Sequence, residues 1–364
     1  MNPAPRAASP DRDRVTARSR AMGVVAYGRP IQPIELPVVP PKDDEVAVSV
    51  TYCGVCGTDV KITEGGLGFS ADLPLPHVPG HEVVGVVTEA GNDSPVAVGS
   101  RVLVYDFLGC GVCAPCRDGH ENVCTDLRRR VGFTSQGGFA ERLVLPHQLV
   151  AVLPDTVSDR SASALGCAMA TAYRAVVRQA DVRAGDRVLV SGAGGVGLHA
   201  AQIAVACGAE VVAADVSQAA LAAVELFGVR TIDAGDLPEL TPAAFDTVIE
   251  TSGHLTDLGV LSRLLRPRGR IVLVGYDPSR PMTLPTLEIV NNEIEIVGSR
   301  YATRSDLLGG LDLVARGLVT PVISRVLDLD DAAAALAAVK AGRVTGRISL
   351  RIHPEQQSQQ PQHP

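Results

Sequence analysis

The stretch RVLVSGAGGVGLHAAQIAVACGAEVVAAD, residues 187–215, opens on an apolar run that predicts a strand ending at Ser191. The turn Gly192-Ala193-Gly194-Gly195-Val196-Gly197 follows, and a helix is predicted to begin at once and to run to Cys207. Gly192 permits a tight turn, Gly194 lets backbone approach a pyrophosphate, and Gly197 allows close packing of helix on strand. The amino terminus of the helix then faces the phosphate charge. Asp215 ends the next strand at the ~20-residue distance expected of an acid that bonds a ribose 2'-hydroxyl. That carboxylate repels a 2'-phosphate, and no Arg or Lys follows in Asp215-Val216-Ser217-Gln218, so the spacing favours NAD over NADP. Taken alone, the glycines could be a structural turn and Asp215 a helix cap.

Outward from this unit the same alternation continues. Ala-rich helical stretches (Ser161–Gln179, Gly197–Cys207, Ser217–Phe227) lie between the apolar runs EVVAAD, FDTVIETSG and GRIVLVGY, the pattern of a doubly wound parallel sheet covered on both faces. Between Gly23 and Leu153 the text changes to short β-rich runs broken by Gly and Pro, among them EVAVSVTYCGV and HEVVGVVTEAG, which predict a partly open, mainly antiparallel barrel. The expected organisation is α/β, with a first barrel segment over 22–167, a dinucleotide-binding sheet over 168–296 and a return to the barrel over 297–352. Residues 1–21 and 353–364, rich in Pro, Arg, Ser or Gln, read as a disordered extension and tail.

The totals exclude several roles. A chain of 364 residues can bury about two cores. It contains no apolar run of the ~20 residues that span a bilayer. A net charge of −7 gives no basic footprint for nucleic acid, and the cluster Arg128–Arg130 reads as a solvated loop. Without an export signal the expected compartment is the cytoplasm, where eight cysteines point to metal ligation or reduced thiols.

Cys110, Cys113, Cys116 and Cys124 stand as C-x2-C-x2-C-x7-C in a Gly-rich loop. Four thiolates from one short loop make a closed tetrahedral site suited to structural zinc; free or disulfide-bonded thiols and an iron-sulfur cluster are the alternatives. A second set is dispersed: Cys56 in Cys-Gly-Thr-Asp, His81 and Glu82 in Gly-His-Glu, and Cys167 in Gly-Cys. Two thiolates and an imidazole with an open fourth position would suit a catalytic zinc, although spacing alone does not select these residues.

Taken in order, the Cys-Gly-Thr-Asp, Gly-His-Glu, four-cysteine, Gly-Cys and glycine-turn motifs resemble the zinc-containing medium-chain alcohol dehydrogenase family over residues 22–352. The resemblance implies a GroES-like catalytic domain interrupted by a Rossmann domain, with two zinc ions per chain, NAD as cofactor and a homodimer or homotetramer. Carried over by motif, it makes Cys56, His81 and Cys167 the catalytic zinc ligands and Cys110, Cys113, Cys116 and Cys124 the structural ones. Thr58 would take the proton, Asp59 would orient His81, Glu82 would approach the metal during ligand exchange, and Gly275 would contact the nicotinamide. The implied reaction moves a hydride between an alcohol or carbonyl substrate and NAD(H).

The sequence departs from the family pattern at Lys61, where many members carry a proton-relaying histidine; an ammonium is a poor relay at neutral pH, and the residue reads as an exposed lysine. Cys53 and Cys207 read as ordinary buried thiols. Tyr105, Asp106 and Phe107 fall where the family places part of its substrate wall, and Asp106 there would favour a polar or cationic substrate, unless it is a surface-loop acid. The competing functions are a carbonyl reductase in a biosynthetic pathway, a non-catalytic zinc- and nucleotide-binding protein, and a zinc-free quinone reductase. The combination of Cys56, Thr58, His81 and Cys167 disfavours the last two.

Overall fold

The computed structural model describes residues 17–67, 73–255, 257–277 and 279–353. Residues 1–16 of the expected extension and 354–364 of the expected tail lie outside the described residues.

The stretch from Arg187 to Asp215 forms strand Arg187–Ser191, helix Gly195–Ala206 and strand Glu210–Asp215. Strand Arg187–Ser191 lies inside a six-stranded parallel sheet. Numbered along the chain, Arg187–Ser191, Glu210–Asp215, Arg230–Asp233, Phe245–Glu250, Leu265–Leu273 and Glu295–Gly298 are arranged 3-2-1-4-5-6. Val188, Leu189, Val190, Val248 and Ile249 are fully buried, because helices cover both faces of the sheet and leave no polar side for these strands. The strand order reverses between Arg187–Ser191 and Phe245–Glu250, whose neighbouring carboxyl ends carry Gly192 and Thr251. A crevice at such a reversal is where doubly wound sheets bind ligands.

A second sheet holds seven strands. Its path runs Ile323–Asp328, Arg347–Arg351, Glu45–Val55, Glu82–Ala90, Arg101–Val104 and Val150–Val152, with Arg142–Pro146 also paired to Glu45–Val55. The strand nearest the end of the chain lies antiparallel to Glu45–Val55, with Leu350 opposite Cys53 and Ile348 opposite Val55. Residues about 300 positions apart in the sequence therefore sit side by side within the sheet.

Two expectations are corrected. The extension does not reach residue 21: Arg18–Gly23 is a strand paired with Gln32–Pro37, and Met22 donates its backbone N–H to the Phe139 carbonyl at 2.8 Å. Its inward residues Ser19 and Ala21 are buried but small, so the alternation adds little apolar signal to an Arg-rich segment. Nor is Arg128–Arg130 a solvated loop throughout: Arg128 is exposed, but Arg129–Arg130 pairs with Phe107–Leu108, and ion pairs join Arg129 to Glu45 at 3.3 Å and Arg130 to Asp106 at 3.0 Å. The stretch Ser161–Gln179 is helical as expected, broken only at Ser163 and Ala164 after the short helix Asp159–Ala162, and it is irregular in its winding: Leu165–Met169, around Cys167, and Arg174–Gln179 are π-helical, an irregularity often found at functional sites. Among the described residues no helix is long and apolar enough to cross a membrane.

Candidate functional site

A cavity of about 750 Å³ lies between the two sheets, and Cys56, Thr58, His81, Cys167, Thr251 and Gly275 all line it. Residues from the Cys-Gly-Thr-Asp, Gly-His-Glu and Gly-Cys motifs thus share one space with the strand ends at Thr251 and Gly275.

Cys56 precedes the short helix Gly57–Thr63, and Asp59 in that helix is fully buried. One Asp59 oxygen accepts the Cys56 backbone N–H at 2.8 Å. The other accepts the Gly80 N–H and contacts His81 Nδ1, both at 3.1 Å. A single carboxylate thereby fixes the loop of Cys56 and the ring of His81. Placing the imidazole proton on Nδ1 satisfies Asp59 and leaves the lone pair on Nε2. That Nε2 is buried and has no hydrogen-bond partner, which a buried polar atom rarely tolerates. Donor atoms of Cys56, His81, Glu82 and Cys167 all lie within 4.8 Å of one another. The Cys167 thiol, followed by the Arg347 charge, holds the Cys56 thiol well below its usual range against the opposing effect of burial. Two thiols, one depressed, and an unsatisfied imidazole nitrogen are a donor set that fits zinc.

Cys110, Cys113, Cys116 and Cys124 also bring their sulfurs within 4.8 Å of one another. Backbone N–H groups of Cys113 and Val112 reach Cys110 Sγ at 3.2 and 3.4 Å, and that of Cys110 reaches Cys124 Sγ at 3.3 Å. Such donors favour thiolates. Backbone amides of Thr125 and Cys116 lower the Cys113 thiol to about 6, whereas desolvation pushes Cys116 up to about 12. Four sulfurs so close cannot all ionise without a cation among them, and the set fits a closed zinc site.

At the other side of the cavity, Gly192 has φ of +94°, and a Cβ there would lie 2.7 Å from Thr251 Oγ1. A Cβ at Gly197 would stand 1.8 Å from the Gly192 carbonyl oxygen, whereas one at Gly194 would meet open space. Gly195 and Val196 open the 12-residue helix, which has no side-chain cap, so its first N–H groups are available to an anion. Asp215 accepts the backbone N–H of Ala193 at 2.6 Å and of Ser217 at 2.8 Å, which ties the acid to the glycine turn. The glycine turn and the terminus thus form a cradle that fits a dinucleotide.

Sequence reasoning missed Arg347. It is buried, its Nη2 lies 3.0 Å from Glu82 Oε1, and it reaches Cys56 Sγ at 3.7 Å. Burial pushes Glu82 up to about 8 even against this guanidinium. The available signal was weak: Arg347 alternates with the apolar Ile348, Leu350 and Ile352 in RISLRI, as does the exposed Arg351. Tyr105, Asp106 and Phe107 do not line the cavity. All three are buried, Tyr105 donates to the Ala302 carbonyl at 3.0 Å, and Asp106 is neither a surface acid nor free for a cationic substrate, because Arg130 takes its charge. Lys61 is half-buried, with its ammonium 4.7 Å from the Tyr276 ring centroid. Cys53 is fully buried and Cys207 half-buried, both as free thiols.

The family described as the alcohol dehydrogenase GroES-like domain matches residues 42–155, and that described as zinc-binding dehydrogenase matches residues 195–316. An alcohol dehydrogenase of Geobacillus stearothermophilus is 30% identical over 330 residues, covering 88% of this chain and 95% of its own. An NAD-dependent alcohol dehydrogenase of Sulfurisphaera tokodaii is 30% identical over 348 residues, covering 91% and 99%. The crystal structure of an NAD-dependent alcohol dehydrogenase superposes with a TM-score of 0.85 at 31% identity, covering 92% of this chain and 100% of the other.

Proposed function

The chain belongs to the zinc-containing medium-chain alcohol dehydrogenase family, and from that premise we propose that it uses the shared cavity to move a hydride between a small alcohol or carbonyl compound and NAD(H). The observation that carries the reading is the convergence of Cys56, His81 and Cys167 with Gly275 and Thr251 on one cavity. Cys56, His81 and Cys167 would hold the catalytic zinc, and Cys110, Cys113, Cys116 and Cys124 the structural one. Catalytic zinc supplies Lewis acidity, which lowers the pKa of an alcohol or polarises a carbonyl.

The protein's own groups do the rest. Asp59 keeps the His81 lone pair aimed inward, a role supported by its contact with Nδ1 at 3.1 Å. Thr58 Oγ1 stands 3.7 Å from Cys56 Sγ on the cavity wall, where its hydroxyl would accept the alcohol proton as it passes its own toward solvent. The Glu82 carboxylate, oriented by Arg347, would approach the metal position when the fourth ligand exchanges. Gly192, Gly194, Gly195, Val196 and Gly197 would seat the pyrophosphate, Gly275 would border the nicotinamide, and Asp215 would bond the adenosine ribose.

Two expectations test this assignment. Metal analysis of the purified chain should give two zinc ions, one for each cluster of donors; one zinc per chain, or iron, would contradict it. Asp215→Gly should lower the preference for NAD over NADP, read as the ratio of kcat/KM values, by about tenfold or more through loss of a repelling charge. An unchanged ratio would remove Asp215 from cofactor selection.

Assembly into a homodimer or homotetramer is supported by the edge position of strand Glu295–Gly298 and by exposed Leu284, Leu287 and Val290 beside it. A cytoplasmic setting is supported by a four-thiol lobe that needs its sulfurs reduced.

A further inference from the structure

Arg300 follows strand Glu295–Gly298 and lines the same cavity as Cys56, His81 and Cys167, together with Arg130 and Phe133. Arg130 is held in place. Its Nε lies 3.0 Å from Asp106 Oδ2, and its guanidinium carbon stands 3.5 Å from the centroid of the Phe133 ring. The Phe133 ring packs on that of His81 with centroids 4.9 Å apart, so a fixed cation stands one ring away from the donor cluster.

The other arginines of this wall have carboxylate partners. Arg174 pairs with Asp306 at 2.9 Å, Arg280 with Asp277 at 3.2 Å and Arg347 with Glu82 at 3.0 Å. Among the described residues no carboxylate lies within ion-pair distance of Arg300. Arg300 and Arg130 both lie over the Phe107 ring, 5.7 and 5.5 Å from its centroid, and they share the single buried charge of Asp106. Partial burial, and after it the charge of Arg130, lower the pKa of Arg300. Two guanidiniums and one carboxylate leave a net positive charge facing the cavity, and a planar fork of donors matches an oxyanion.

We propose that the substrate is an anionic alcohol or oxo compound whose carboxylate or phosphate is held by Arg300 beside Arg130 while its carbinol or carbonyl end reaches Cys56, His81 and Cys167. The proposal rests on the dehydrogenase reading of this cavity and names the substrate class for it.

The test uses the zinc-loaded full chain with NADH and three matched aldehydes: butanal, 4-oxobutanoate and 3-oxopropyl phosphate. At least one anionic aldehyde should exceed butanal in kcat/KM by about tenfold or more, chiefly through KM, and the preference should shrink as salt is raised. The arm that rises separates carboxylate from phosphate. Arg300→Leu should bring the ratio of anionic to neutral substrate close to one, Arg300→Glu should invert it, and Arg300→Lys should keep part of it. Equal values for all three aldehydes in the unaltered protein, or a ratio that Arg300→Leu leaves unchanged, would overturn the proposal. Absence of turnover with every aldehyde would instead count against the dehydrogenase reading. The anion site is then judged by calorimetric titration of NAD-loaded protein with butyrate and propyl phosphate: binding that Arg300→Leu abolishes supports it, and binding that is absent or identical in the two proteins overturns it.

Discussion

Cys56→Ser is expected to lower kcat by about a thousandfold or more, on the order of 4 kcal/mol in the activation barrier, while thermal unfolding changes little. Cys56 is the depressed thiol of the cluster, with Cys167 and Arg347 favouring its thiolate. A serine hydroxyl keeps the volume but ionises far less readily, so the donor set loses charge and softness where a metal needs them. The fold should survive, because the helix Gly57–Thr63 and the loop of His81 are tied by Asp59 through the Cys56 backbone N–H, which serine retains. The check is paired measurement of turnover and melting temperature. A variant with nearly full turnover, or one that fails to fold, would separate Cys56 from the role proposed for it.

Cys113→Ser should do the reverse. In the lobe around Cys110, Cys113, Cys116 and Cys124 only Cys110 is buried, and the short helical turns offer little apolar burial; Ala114–Arg117 is a single turn with no buried residue. Such a loop gains its order from the ion it closes around. Removing one thiol is expected to lower the melting temperature by about 10 °C or more, with catalysis in the surviving folded fraction much less affected. Chelation that strips this lobe first should reproduce the loss. Similar damage to turnover and folding in both cysteine variants would argue against the division into a catalytic and a structural centre.

What the sequence disclosed, it disclosed through short-range spacing. The glycine turn, Asp215 and the four-cysteine lobe each lie in a stretch short enough for geometry to follow from spacing, and the continuous apolar strands around them could only be buried on both faces. The dispersed donors needed the family pattern, since Cys56 and His81 meet only where strands Glu45–Val55 and Glu82–Ala90 pair, and Cys167 joins them from the helical segment Leu165–Met169. Contacts made by strand pairing left no local mark. Arg347 reaches Cys56 across 291 residues because Leu350 pairs opposite Cys53. Asp106 and Arg130 were both assigned to solvent, since a lone acid and a run of arginines read separately as exposed; the pairing of Phe107–Leu108 with Arg129–Arg130 neutralises one with the other. The other reading of Asp106, as a wall residue favouring a polar or cationic substrate, fails for the same reason, because its charge is spent on Arg130.

The central claim is that one cavity joins the Cys56, His81 and Cys167 cluster to the nicotinamide site in a working alcohol dehydrogenase. The most direct test follows NADH formation by protein of assayed zinc content, supplied with NAD and a panel of alkyl, aromatic, polyol and hydroxy-acid alcohols, beside the Cys56→Ser variant. The account predicts zinc-dependent NADH formation with at least one alcohol of the panel and its loss in the variant. Zinc-replete protein that forms no NADH from any alcohol, and consumes none with the corresponding carbonyl compounds, would contradict it.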